Sequence, residues 1–268
     1  RTPNYSVPAG NRALTAEEVA DVKATYAERR RVSRRSGGGS PHVPHPKLTM
    51  EASPQERRAA FERRWDLGGV LFSKTFADQM TDLTANAEAQ RFWEEKVRAV
   101  IDDAEVAELL IPDDHPIGTK RICTDSNYFQ TFNRPNVRLI SVRKTPIESI
   151  DATGITTSDA HYDLDAIVFA TGFDAMTGAL GKIDIVGRKA ERLRDDWANG
   201  PRSYLGLGDD GFPNLFVITG PGSPAVLANM VLGAEAHVDW ISDCIGYLDE
   251  HGYDGIEATA EAVDNWLA

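Results

Sequence analysis

Apolar residues in the first half of the chain recur at helical spacing. One face of a helix predicted near 87–102 carries Phe92, Trp93, Val97, Val100 and Ile101. Two earlier helices begin with capping boxes, Thr15-x-x-Glu18 before a helix over about 16–35 and Ser53-Pro54-Gln55-Glu56 before a second. The Gly- and Pro-rich segment 36–46 is predicted to be a loop. Residues 12–110 are therefore expected to be almost wholly helical.

After Pro116 the pattern changes to short apolar segments that are typical of strands. Strands are predicted over 136–142, 145–150, the short segment GITTS, 165–170 and 214–220. A long helix is predicted from Pro224 to about Glu250 and is expected to end at Gly252. Its inner side would carry Val226, Met230, Val231, Ala234, Val238, Ile241, Ile245 and Leu248. Helices beside apolar strands predict an α/β layer.

Charge and composition narrow the classes of function. The net charge is −12, and the acidic excess lies after residue 64, which argues against a nucleic-acid-binding protein. No apolar run approaches the roughly eighteen residues needed to cross a bilayer. With Cys123 and Cys244 as the only cysteines, a reduced and cytoplasmic setting is favoured over a disulfide framework. The chain begins with Arg1 rather than Met, so we expect that it has been trimmed.

Two short motifs suggest sites that their context does not support. The segment GLGDDG at 206–211 matches G-x-G-x-x-G, but a strand rather than a helix is predicted after it, so a wide turn is favoured. His42 and His45 lie among prolines without a cluster of further ligands, which favours a loop over a metal site. His237 on the long helix is expected to be a core or interface residue.

Two other stretches allow a ligand to approach the backbone. Gly220-Pro221-Gly222 follows a predicted strand, Ser223 can cap the long helix, and a helix N-terminus favours an anion. A tight strand-to-helix turn is the equally open alternative. The segment ATG at 170–172 also ends a predicted strand, either as a close-contact site or as a simple exit from the sheet.

Adjacent cations, Lys120 and Arg121, follow a Gly-Thr turn. Adjacent residues share neither a helix face nor a strand face, so the two side chains are expected to point in different directions. Taken alone, such a pair is typical of a solvated surface. The alternative is that two cations are directed at an anion.

Four stretches occur in an order that resembles a known family. They are RTPNYSVP, QTFNRPNVRLISV, ATGFDAMTGAL and GPRSYLGLGDDGFPNLFVITGPGSP. In this order they resemble the flavin-dependent Baeyer–Villiger monooxygenases, which use FAD and NADPH to insert one oxygen atom of O2 beside a ketone carbonyl through a peroxyflavin, giving an ester or lactone. The resemblance covers nearly the whole chain, including the helical part with HPIGTKR.

The resemblance implies a fold class and a division into domains. The fold is expected to be α/β, with parts of two Rossmann-like dinucleotide-binding domains and an inserted helical subdomain. Residues 1–8 and 116–172 would belong to the NADPH domain, 9–115 would be the helical insertion, and 173–268 would be the C-terminal part of the FAD domain. The two Gly-rich nucleotide loops of the family are not found in the sequence. We therefore expect the chain to be a C-terminal part that is incomplete and inactive alone.

Residue roles also follow from the resemblance. Arg121 matches the catalytic arginine, which also contacts cofactor, and Lys120 matches a residue that contacts the 2′-phosphate of NADPH. Arg1 and Thr2 match the other edge of that phosphate site, and Met230 matches a position that touches the flavin. The pocket for a small-molecule ketone would be formed by Ala225, Val226 and Leu227. No metal, nucleic acid or membrane is expected as a partner.

Two alternatives remain open at this point. One is a related flavin monooxygenase that oxygenates nitrogen or sulfur, and the other is a fragment without activity that serves as a scaffold.

The role that the resemblance implies for Arg121 suits arginine. A residue that stabilises an anion must stay charged, and arginine does not act as an acid at neutral pH.

Overall fold

The structure is a computed structural model that describes residues 3–36, 38–223 and 228–268. It divides into two units, residues 1–20 with 42–169 and residues 21–41 with 170–268, and each is described by itself. The domain boundaries expected from the resemblance remain a prediction.

Eight α-helices and five short strands are found among the described residues. The helices are α1 (Ala16–Ala24), α2 (Tyr26–Arg34), α3 (Pro54–Leu67), α4 (Leu83–Val100), α5 (Ala104–Leu110), α6 (Leu193–Asp196), α7 (Met230–His251) and α8 (Ala260–Leu267). The strands are β1 (Ser6–Pro8), β2 (Cys123–Asp125), β3 (Ile147–Ile150), β4 (Gly154–Thr157) and β5 (His161–Asp163). This mixture confirms the α/β class, although the sheets are small.

Both capping boxes are confirmed. The Ser53 backbone N–H donates to Glu56 Oε2 at 2.8 Å, and the Glu56 N–H donates to Ser53 Oγ at 3.3 Å. The corresponding bonds between Thr15 and Glu18 measure 2.8 and 3.1 Å. The single helix predicted over 16–35 is instead two helices, α1 and α2, which meet at Thr25. The Thr25 hydroxyl donates to the Asp21 carbonyl at 2.8 Å, a local bond that competes with regular helix geometry.

Aromatic side chains form the centre of the core in the first unit. Five aromatic residues are buried here: Phe61, Phe72, Phe76, Phe92 and Trp93. The four phenylalanine rings contact one another in pairs at centroid distances of 5.4 to 5.8 Å. These residues come from α3, α4 and the segment between them. The predicted apolar face of α4 is thus confirmed, and it covers the short strand β1.

Two separate sheets lie in the first unit. β1 and β2 are parallel, with Ser6 opposite Cys123 and Pro8 opposite Asp125. β3, β4 and β5 form an antiparallel sheet in that order, with an irregular register between Ile147 and Ser149. The strands predicted over 145–150 and in GITTS are therefore confirmed.

The strand predictions for 136–142, 165–170 and 214–220 are wrong. None of these segments has a ladder partner among the described residues, so their backbone groups bond elsewhere or stay exposed. In the segment 165–170, Val168 and Phe169 are 88% and 71% exposed, the reverse of a buried strand. In the third segment, the Val217 N–H donates to the Leu207 carbonyl at 2.7 Å. An apolar run specifies a strand only when neighbouring strands are present to pair with it.

The second unit has a smaller core made by Leu193, Trp197 and Phe212. Its long helix α7 begins at Met230 with Asn229 as the cap, whose side chain accepts from the Leu232 N–H, so the predicted start at Pro224 is wrong. The predicted stop at Gly252 is confirmed, with this glycine in the left-handed region.

The predicted inner face of α7 is not covered among the described residues. None of its described apolar side chains is fully buried: Val231 is 71% exposed, and Ala234, Ile241 and Leu248 are half-buried. Among the described helices, none is both long and apolar enough to cross a bilayer.

Candidate functional site

The parallel pair of β1 and β2 brings the start of the chain beside Arg121. The Asn4 side-chain amide donates to the Arg121 carbonyl at 3.1 Å, and the Cys123 N–H donates to the Tyr5 carbonyl at 3.0 Å. Residues separated by more than a hundred positions in sequence thus meet at one point of the fold.

β1 is fixed in place by two buried aromatic residues. Tyr5 is fully buried, its ring meets Trp93 edge-on at 4.8 Å, and its hydroxyl donates to the His115 carbonyl at 3.0 Å. Burial, with smaller contributions from nearby carboxylates, raises the pKa of Tyr5 to about 12, so the phenol stays protonated. Trp93 Nε1–H donates to the Ser6 carbonyl at 2.7 Å. The backbone beside Arg121 is therefore anchored to α4.

The turn that precedes the two cations is equally constrained. Gly118 has φ +92°, a conformation that favours glycine, and a Cβ at this position would lie 2.6 Å from Sδ of the flexible Met80 side chain, which would have to move. The Asn86 side-chain amide donates to the Ile117 carbonyl at 2.9 Å. Lys120 and Arg121 leave this fixed turn and are both exposed. The contacts around this turn therefore fix the backbone from which both cations extend.

Lys120 belongs to a group of charges centred on Asp114. Its Nζ lies 3.8 Å from Asp114 Oδ2, and Arg143 Nη2 lies 3.6 Å from the same oxygen. His115 Nδ1 lies 2.5 Å from the other oxygen, Oδ1. The hydrogen bond from His115, together with the charge of Lys120, holds the pKa of Asp114 below its ordinary value. The sequence analysis did not single out Asp114 or Arg143, because nothing local indicates that they meet.

In the second unit, several bonds hold the loop that carries Gly220 to Ser223. The Gly220 N–H donates to the Gly206 carbonyl at 3.1 Å, and Trp266 Nε1–H donates to the Gly222 carbonyl at 3.2 Å. Ser223 Oγ donates to the Gly220 carbonyl at 2.8 Å, so Ser223 closes a turn and does not cap α7. The tight-turn alternative is the one that these described residues favour.

The remaining residues expected at the site are placed only in part. Met230 is the first residue of α7 and about half exposed. The expected phosphate-site residues Arg1 and Thr2 lie outside the described residues. The expected pocket residues lie outside them as well; these are Ala225, Val226 and Leu227.

The motifs rejected from sequence have structural roles. GLGDDG forms a turn in which the Tyr204 N–H donates to the Gly208 carbonyl at 2.7 Å. His42 Nε2 lies 2.7 Å from the Lys74 carbonyl oxygen, and across the described residues no group of three potential metal ligands is found. His237 Nδ1 accepts from the Thr219 N–H at 3.0 Å, and burial lowers the pKa of His237.

Comparisons with known proteins cover the whole chain. No family model matches it. It is 37% identical to 2-oxo-Δ3-4,5,5-trimethylcyclopentenylacetyl-CoA monooxygenase of Pseudomonas putida, over 99% of this chain and 49% of that protein. It is also 37% identical to cyclohexanone 1,2-monooxygenase of an Acinetobacter species, again over 99% and 49%. Phenazine N-monooxygenase PhzNO1 of Lysobacter antibioticus is 35% identical over 100% of the chain and 49% of its own length.

Solved structures give the same result. Oxidized steroid monooxygenase bound to NADP matches with a TM-score of 0.94 and 64% identity, over 99% of this chain and 51% of that one. The open crystal structure of cyclohexanone monooxygenase matches with a TM-score of 0.93 and 39% identity, over 100% and 52%.

Sequence and fold together show that the chain is similar over its whole length to monooxygenases. The similarity to Baeyer–Villiger monooxygenases that the four ordered stretches predicted is confirmed. The chain spans about half the length of the curated relatives it matches.

Proposed function

We propose that the protein containing this chain is an FAD- and NADPH-dependent Baeyer–Villiger monooxygenase. Such an enzyme inserts one oxygen atom of O2 beside the carbonyl of a small-molecule ketone to give an ester or lactone. The observation that carries the proposal is similarity over the whole chain to ketone monooxygenases. Structures of relatives in complex with FAD and NADP support the choice of cofactors. The setting we propose is the cytoplasm, without a metal.

The residues near the Gly118 turn fit the phosphate of NADPH. Lys120 is about half exposed, and its ion pair to Asp114 is longer than a hydrogen bond at 3.8 Å. Its ammonium can therefore turn its N–H donors to a phosphate, and Lys is a common phosphate ligand. We assign Lys120, with Arg1 and Thr2, to the 2′-phosphate. When bound, NADPH supplies hydride to the flavin, and the flavin activates oxygen.

Arg121 is the proposed catalytic residue. Its main chain is held by Asn4, and its guanidinium stays charged across the working pH range. A fixed cation stabilises negative charge that develops on the reacting oxygens without donating a proton to them. This role differs from that of Lys120, and adjacent positions on an extended backbone direct their side chains to opposite faces.

The pocket for the ketone and the edge of the flavin site are assigned to the second unit. Ala225, Val226 and Leu227 follow the turn closed by Ser223, and Met230 begins α7 just after them. We assign the three residues to the ketone pocket and Met230 to flavin contact. The domain boundaries at 8, 115 and 172 belong to the same proposal.

The test is Arg121→Ala in the full-length enzyme. Flavin reduction by NADPH should persist, while ester or lactone formation should fall by about 10²- to 10³-fold, the typical cost of removing one preorganised charge donor. Arg138→Ala is the matched control, because Arg138 lies over the Tyr162 ring at 5.4 Å and should leave both steps unchanged. Ester formation at the wild-type rate in Arg121→Ala would contradict the catalytic assignment.

Nitrogen oxygenation is the second candidate. PhzNO1, named as a phenazine N-monooxygenase, matches over the same full length, so whole-chain similarity includes a protein with a different named reaction. Product analysis with a ketone and with an aromatic N-heterocycle distinguishes Baeyer–Villiger oxidation from nitrogen oxygenation. Absence of any oxygenated product from the complete, flavin-loaded protein would favour a scaffold instead.

A further inference from the structure

Arg143 and Lys120 meet at one carboxylate although they come from distant parts of the chain. Both cations approach Asp114 Oδ2, at 3.6 Å from Arg143 Nη2 and 3.8 Å from Lys120 Nζ. Arg143 Nη1 also lies 3.5 Å from Asp113 Oδ1. Two positive groups are thus kept close together at the surface of the first unit.

These ion pairs are easily exchanged for another anion. All three distances exceed those of a good charge-assisted hydrogen bond, and the side chains of Arg143 and Lys120 are 57% and 47% exposed. Long, solvated pairs of this kind contribute little to stability. A phosphate monoester carries more charge than one carboxylate and offers three acceptor oxygens, so it can replace them.

The carboxylates that would be released remain satisfied. Asp114 Oδ1 keeps its 2.5 Å contact with His115 Nδ1, which involves the other oxygen of the carboxylate. Asp113 is largely solvated, with 78% of its side chain exposed. Rearrangement of the two cations therefore leaves no buried charge without a partner.

A cleft lies beside Arg143. It has a volume of about 440 Å³, and Pro3, Glu108, Asp113, Arg143 and Lys144 form part of its wall. Arg143 therefore lines the same cleft as Pro3, the first described residue of the chain.

We propose that Arg143 is a specificity-determining residue that binds the 2′-phosphate of NADPH together with Lys120. Asp113 and Asp114 hold the two cations near each other before the phosphate arrives. The inference rests on the proposed function, and it adds a second cation to the described part of the phosphate site. Arginine can bind a phosphate through two parallel N–H bonds, which a lysine cannot do.

The test is equilibrium binding of NADP⁺ and NAD⁺ to the full-length, FAD-loaded enzyme by calorimetry. Arg143→Gln should weaken NADP⁺ by about tenfold or more, while NAD⁺ should change by less than about twofold, because only NADP⁺ carries the phosphate. Arg143→Lys should recover part of the loss. Arg138→Gln is the matched control, since it removes an exposed arginine from the same region and should change neither ligand.

Each outcome decides between roles. Equal weakening of NADP⁺ and NAD⁺ by Arg143→Gln would show a structural effect, and unchanged NADP⁺ binding would show that Arg143 does not bind the phosphate. Either result overturns the inference. If the Arg143 variants keep the preference for NADP⁺ over NAD⁺ while Lys120→Ala loses it, the proposed function stands and the role of Arg143 is refuted. A wild-type enzyme with no preference for NADP⁺ would refute the phosphate site itself.

Discussion

Asp209 gives the second unit a stability that depends on pH. Its side chain is 2% exposed, and Oδ2 accepts a 2.6 Å hydrogen bond from Trp197 Nε1–H. Burial raises the pKa of Asp209 from its ordinary 3.8 to about 6, against the opposing effect of the Trp197 bond. The folded state therefore binds a proton at this carboxyl that the unfolded chain releases more readily.

The direction and size of the effect follow from linkage. Because the pKa is higher in the folded state, the stabilisation is fully present below pH 3.8 and is lost as pH rises through about 6. The difference between the two pKa values corresponds to about 3 kcal/mol of unfolding free energy. Asparagine has no charge to bury, so Asp209→Asn removes this dependence.

The assay compares unfolding free energies of the wild type and Asp209→Asn in urea at several pH values. Between about pH 4 and pH 7.5, the wild type should lose roughly 2–3 kcal/mol relative to the variant. Asp195→Asn is the control, since that carboxylate is 72% exposed and its ion pair with Arg194 is long, at 3.8 Å. A constant difference between wild type and Asp209→Asn across this range would refute the reasoning.

Two further substitutions probe the backbone around Lys120 and Arg121. Gly118→Ala should lower the unfolding free energy by about 1–2 kcal/mol, because alanine would have to adopt a positive φ and its Cβ would meet Met80. Urea unfolding measures this loss, and a value below about 0.5 kcal/mol would contradict the prediction. Trp93→Phe should cost about 1–3 kcal/mol by leaving the buried Ser6 carbonyl without its donor. Thermal and urea unfolding measure that loss, with Trp240→Phe on the exposed α7 as a near-neutral comparison.

Local signals in the sequence predicted local structure well. The capping boxes at Thr15 and Ser53 act over three residues, and both are present as expected. The stop of α7 at Gly252 was also predictable, because a glycine in the left-handed conformation ends a helix through bonds to the last turn alone. The apolar face of α4 was predicted correctly because the spacing of apolar residues along one helix is enough to define that face.

Non-local structure could not be read in the same way. Segment 165–170 has the composition of a buried strand, yet Val168 is exposed because no described strand pairs with it. The start of α7 was misplaced because Ser223 and Pro224 resemble a cap, whereas Ser223 bonds to Gly220. The shared contacts of Lys120 and Arg143 with Asp114 depend on the folded chain, and no spacing in the sequence encodes them.

Because β1 pairs directly with β2, the position of Arg121 does not depend on how many residues the helical region between the two strands contains. Ser6 and Cys123 close a loop of about 115 residues, and loop-closure entropy grows only with the logarithm of length. Adding ten residues to a surface turn of that region would cost about 0.1 kcal/mol in closure entropy. A lid, a tag or an extra helix could therefore be inserted there while α4 continues to anchor the strand pair, which makes this region a practical place for engineering.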